Sequence, residues 1–151
     1  MNALSQEVVT KRIKPDGSGF TVAAGSADVN SDIVDTAGYD GVRFIAGFGA
    51  ITSGGVQGIK VQQNTANSTS GMADLAGSAI AVADSDDNKM AISDIIRPQE
   101  RYLRVVTTRA TQNSVVDFLI VELYRARTQP ITQDTTVVSA EVKSSPAEGT
   151  A

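Results

Sequence analysis

Histidine and cysteine do not occur among the 151 residues of this chain. They are the side chains that most often serve as general base, metal ligand or thiol nucleophile. Any catalysis would fall to Asp, Glu, Lys, Ser or Tyr. Asp35, Asp40 and Asp117 are the carboxylates that could pair for acid–base work of the glycosidase kind, yet their spacing draws no two of them to one site. Asp84, Asp86, Asp87 and Asn88 have the composition of a calcium loop. An EF-hand loop continues through a Gly to a distant Glu, whereas Lys89 follows here at once, so a solvated turn is expected. Gly47, Gly49, Gly54 and Gly55 precede no Lys-Ser or Lys-Thr pair and open no helix. They read as turn and bulge glycines rather than a phosphate loop. Asn67-Ser68-Thr69 has the glycosylation pattern inside a loop of matching composition. No metal, cofactor or catalytic residue is expected.

Arg97, Arg101, Arg104 and Arg109 cluster in sequence, with Arg101 and Arg109 on one strand face and Arg104 on the other. Strand-edge charges that suppress aggregation are one reading. Contacts to a carboxylate-rich partner are the other, and Arg101 and Arg109 are the candidate partner-binding residues. The net charge of −4 and the isoelectric point near 4.7 speak against nucleic acid as a partner. No apolar run approaches the roughly 20 residues of a membrane span. The opening MNALSQEVVTKRIK lacks an apolar core, so no secretory leader is expected.

The elements that must position these residues are short and β-like. Residues 7–14 (EVVTKRIK) run into the turn signal Pro15-Asp16-Gly17-Ser18-Gly19. Eight further candidate strands follow, over residues 20–24, 29–36, 42–50, 58–62, 79–83, 89–95, 101–109 and 115–125. In 42–50, Val42, Phe44, Ala46 and Phe48 share one face, the alternation of a half-buried strand. Residues 115–123 are apolar on both faces, which marks a central strand covered twice. Residues 72–82 have room for one short helix at most. Eight antiparallel strands at this spacing predict an all-β antiparallel sandwich, jelly-roll-like, over residues 19–130. An immunoglobulin-like sandwich is the runner-up, and it would ordinarily carry a core Trp that this chain lacks.

Residues 1–18 are read as an N-terminal arm or strand, and 131–151 as an extended C-terminal arm. The C-terminal arm is small and polar except for a β-like island at 135–142. Thr135, Thr136, Val137 and Val138 open that island. They are the candidate residues for adding a strand to a neighbouring sheet.

The succession GYDGVRFIAGFG, ITSGG, a Val/Lys/Gln strand, MADLAGSA, RPQERYLRVVTTR and VVDFLIVELYRARTQP resembles small structural proteins of tailed bacteriophages, the capsid decoration or cement proteins. The resemblance covers residues 35–130 and rests on turn and strand patterns. Met72 departs from a position that is often aromatic in that family, while keeping a large apolar side chain. The resemblance implies a homotrimeric β-sandwich on the virion surface. Its partner would be the major capsid protein, and there would be no enzymatic activity. The alternatives are a tail or neck component of the virion, or a jelly-roll carbohydrate-binding module for host attachment.

Overall fold

The computed structural model describes residues 3–15, 19–145 and 147–150. Of the turn expected over residues 15–19, residues 16–18 lie outside the described residues. Among the described residues one helical turn, α1 (Leu4–Glu7), precedes eleven strands. These are β1 (Val9–Arg12), β2 (Val22–Gly25), β3 (Val29–Asn30), β4 (Val34–Asp35), β5 (Tyr39–Ile51), β6 (Val56–Asn64), β7 (Ala73–Asp74), β8 (Ile80–Val82), β9 (Met90–Ile96), β10 (Tyr102–Ala110) and β11 (Ser114–Ala126).

The strands form two antiparallel sheets. The first has the order β1-β11-β5-β9, with β2 also on β11. The second has the order β3-β10-β6-β7, with β4 also on β10 and β8 on β6. If β1/β2, β3/β4 and β7/β8 each count as one interrupted strand, the first sheet takes strands one, eight, three and six of the chain. The second takes two, seven, four and five. That is the jelly-roll order, and the sandwich expected from strand count and alternation is the fold.

The alternation of β5 builds the interior. Val42, Phe44, Ala46 and Phe48 point inward and are buried, as are Val116, Leu119, Val121 and Leu123 of β11. Ile59, Val61, Leu103 and Val105 of the second sheet meet them. Aliphatic side chains and two phenylalanines therefore fill the core without a Trp.

Three local expectations change. The segment 29–36 breaks at Ser31, whose N–H donates to the Val105 carbonyl at 2.9 Å and whose hydroxyl accepts the Val105 N–H at 3.0 Å. A side-chain oxygen thus replaces one rung of the ladder. The segment 7–14 divides into α1 and β1. Residues 72–82 hold β7 and β8 where a short helix had room.

Candidate functional site

The most distinctive surface is the outer face of the first sheet. Since Val42, Phe44, Ala46 and Phe48 face the core, Gly41, Arg43, Ile45 and Gly47 face out. The register then sets four rows across β9, β5 and β11: Ile96–Gly41–Tyr124, Asp94–Arg43–Glu122, Ile92–Ile45–Ile120 and Met90–Gly47–Phe118. The first and last rows have the same construction. A Cβ on Gly41 would overlap the Tyr124 ring, and a Cβ on Gly47 would overlap the Phe118 ring. Each glycine thus gives up its side-chain space to an aromatic ring of β11 lying across the sheet. Two phases of β11 make this possible. The register shifts between Val116 and Phe118, so Asp117 is an extra residue that turns Phe118 outward and keeps Leu119 inward.

The polar row is tightly paired. Arg43 Nε donates to Glu122 Oε2 at 2.6 Å, and the Arg43 Nη2 approaches the same oxygen. The Tyr124 hydroxyl donates to Asp94 Oδ1 at 2.5 Å. Burial, and then this bond to a carboxylate, push the Tyr124 hydroxyl up to about 12. These groups floor a cleft of about 580 Å³ whose walls include Leu4, Glu7, Ile96 and Arg125. The neighbouring rows are apolar, and Met90, Ile92 and Ile96 are among the exposed large hydrophobics of the chain.

The acidic trio proposed for acid–base work is dispersed. Asp35 is bound by Arg101 through two bonds of 2.8 and 2.7 Å, and this partner holds its carboxyl below the usual range. Asp40 pairs with Arg127 at 2.7 Å. Asp117 sits at the bulge, roughly 26 Å along the strand direction from Asp40. The acidic loop is spent on backbone N–H groups, two of them at the turn between β5 and β6. Asp84 Oδ2 accepts the Gly54 N–H at 2.7 Å, Asp87 Oδ1 the Ile51 N–H at 2.7 Å, and Asp86 Oδ2 the Ala83 N–H at 3.0 Å. Among the described residues no three carboxylates converge on a point.

The proposed partner-binding residues part company. Arg101 is exposed and engaged with Asp35. Arg109 is buried, so it is corrected from a surface contact to an internal tie. Its Nε donates to the Ala27 carbonyl at 2.7 Å, and its Nη1 donates to the Ala23 and Ser114 carbonyls at 3.0 and 2.9 Å. It joins β10 to β2 and β11, and burial lowers its affinity for its proton. Gly25 leaves room for the guanidinium, which would stand 3.1 Å from a Cβ there.

Thr135, Thr136, Val137 and Val138 form a turn rather than a strand, with Thr135 and Val138 exposed. This stretch lies along β1 of its own chain. Gln133 Oε1 accepts the Thr10 N–H at 2.9 Å, Thr136 Oγ1 accepts the Arg12 N–H at 3.0 Å, and Asp134 lies 3.8 Å from Lys11. Polar side chains thereby occupy the open side of β1.

Arg43, Asp94, Glu122 and Tyr124 belong to no sequence motif, and nothing in their spacing groups them. The signal that finds them is the pair of glycines on one face of β5, each facing an aromatic residue of β11.

No family model and no curated protein matches the chain. Among solved structures it is similar to the isomalto-dextranase of Arthrobacter globiformis T6 complexed with panose, at 12% identity and a TM-score of 0.41. The match covers 77% of this chain and 23% of that one. A likeness this loose bears on neither ligand nor activity. No helix among the described residues is long and apolar enough to cross a membrane.

Proposed function

We propose that this chain is a non-enzymatic structural protein of a tailed-phage virion, a decoration protein that lies on the head and bridges neighbouring capsomers. The observation that carries the reading is the outer face of the first sheet. It is a broad surface on which Met90, Ile92, Ile45, Ile120 and Phe118 form two adjacent apolar rows. Contiguous exposed apolar area on a small domain marks a place where another protein lies. The resemblance over residues 35–130 points to the same role. The test is to mix the purified chain with heads assembled from the major capsid protein of the same phage. Co-sedimentation and density outside the capsid lattice in electron micrographs are expected. Ile45→Asp with Ile120→Asp should abolish binding while the melting curve stays cooperative. Heads that leave the wild-type chain in the supernatant overturn the reading.

One observation favours a second reading, a carbohydrate-binding module. Tyr124 lies flat against Gly41 beside Arg43, Asp94 and Glu122, an apolar plate next to polar groups in an open cleft. A pyranose matches such a surface with its C–H face on the ring and its hydroxyls on the charged groups. Glycan-array binding that disappears in Tyr124→Ala supports this reading, and a blank array ends it.

A further inference from the structure

We propose that β9 is a self-pairing edge, through which two copies of this chain join their first sheets into one continuous sheet about a two-fold axis at Ser93.

Each sheet of a sandwich has two edges, and this chain treats its edges differently. The outer side of β1 is occupied by Gln133 and Thr136. The edge elements of the second sheet are only two or three residues long. β9 has seven residues and pairs on one side, with β5. It carries no Pro, Lys or Arg and no bulge, the usual protections of an edge.

The hydrogen-bonding parity of β9 can be read from its two ends. Lys89 accepts the Phe48 N–H at 2.9 Å, and the Arg97 N–H donates to the Asp40 carbonyl at 2.8 Å. In an antiparallel ladder every second residue bonds the same neighbour, so Ala91, Ser93 and Ile95 also bond β5. Met90, Ile92, Asp94 and Ile96 therefore turn both backbone groups to the open side. Their side chains face out as well, and Met90, Ile92 and Ile96 are 61, 47 and 59% exposed.

Only registers that place these four residues opposite one another use the open groups. A two-fold axis at Asp94 sets that carboxylate against itself and uses three of the four. An axis at Ile92 also uses three. An axis at Ser93 uses all four. Met90 then faces Ile96 of the other copy, Ile92 faces Asp94, and eight N–H···O=C bonds form. Apolar meets apolar at both ends, and no like charges meet within the strand. Lys89 and Arg97 flank the ladder, but Lys89 is held by Asp86 at 2.6 Å and Arg97 has φ of 52°, which turns the chain away. The strand is thus self-complementary, and self-complementarity is what a two-fold interface requires. The product is a dimer, where the resemblance above implies a trimer.

Because the chain has no cysteine, single Cys variants read the register directly. At the axis Ser93 becomes a non-hydrogen-bonded pair with itself. Its Cα atoms lie about 4.5 Å apart, within the roughly 4.4–6.8 Å span of a disulfide. Under mild oxidation the full-length Ser93→Cys chain should become a covalent dimer, while Ile92→Cys and Asp94→Cys stay largely uncoupled. Untagged wild type should scatter light as twice its 15.7 kDa mass at micromolar concentration. Met90→Lys with Ile96→Lys sets lysines opposite one another and should weaken dimerisation about tenfold or more. Met90→Lys with Ile96→Glu should restore it. A monomeric or trimeric wild type, or cross-linking that peaks at residue 92 or 94, overturns the proposal. Loss of the dimer on truncation after residue 138 also overturns it, by making the C-terminal tail the occupant of the edge.

Discussion

The Tyr124 ring occupies the space that a side chain on Gly41 would need, across the β5–β11 ladder. Gly41→Ala must therefore lift the ring off the sheet. We expect a loss of about 1–3 kcal/mol, the usual cost of overpacking, measured by urea denaturation. Combining Gly41→Ala with Tyr124→Ala should cost less than the sum of the two, because the clash is then gone.

The same ring sets an alkaline limit. The Tyr124 hydroxyl is pushed from 10.0 up to about 12, first by burial and then by Asp94. The folded chain keeps that proton longer than the unfolded chain does. Its contribution is whole below pH 10 and is lost as pH rises through 12. Wild type should weaken across that window more steeply than Tyr124→Phe. The difference between their tyrosinate absorbance titrations should have its midpoint near 12.

Arg109 is a structural cation, and its removal should be felt throughout the sandwich. Arg109→Met leaves the Ala23, Ala27 and Ser114 carbonyls without their donor. A destabilisation of roughly 3 kcal/mol is expected. Arg109→Lys should recover little, since an ammonium cannot fork to three carbonyls from one position. Thermal melts of the three chains decide this.

In acid, Asp35 gives the opposite sign to Tyr124. Arg101 holds its carboxyl below the ordinary aspartate value of 3.8, so the pair stabilises the fold above that pH. The contribution is lost as pH falls through the lowered pKa. Asp35→Asn should flatten the stability profile below pH 4, and high salt should do the same to wild type because the pair is exposed.

The C-terminal segment should divide at about residue 138. Truncation there leaves Gln133, Asp134 and Thr136 on β1, and the urea midpoint should not move. Truncation after residue 130 uncovers β1 and removes Ile131 from the core margin. A loss of about 1–2 kcal/mol is expected, with a β-sheet circular dichroism spectrum retained.

The long strands were legible because their alternation is strong. Residues 42–50, 101–109 and 115–125 correspond to β5, β10 and β11 within a few residues. The apolar character of both faces of 115–123 marked β11 as central, and it lies between β1 and β5. Its outward face is a different matter. Phe118 and Ile120 suggested a second cover, and in the single chain that side is the outer surface. A run of apolar residues states that burial is favourable, not what does the burying. Arg109 was misread for a related reason. Its alternation was right, but the three carbonyls that solvate it come from segments 5, 82 and 86 residues away in sequence. The Arg43–Glu122 and Tyr124–Asp94 contacts likewise join residues 79 and 30 apart, and only the strand order brings them together.

The pairing of β1 with β11 has a consequence for synthesis. Val9 meets Leu123, so β1 can take its place only after β11, more than a hundred residues further along the chain, has emerged. Until then the N-terminal segment waits beside a growing chain with its ladder unfilled. β5 and β9 can already associate, but β11 must still enter between β5 and β1. Closure of the first sheet therefore waits until β11 has been made, and its long loop closure favours slow folding. The polar segment that then covers β1 follows β11 in the chain, so that edge is sealed only after the sheet has closed.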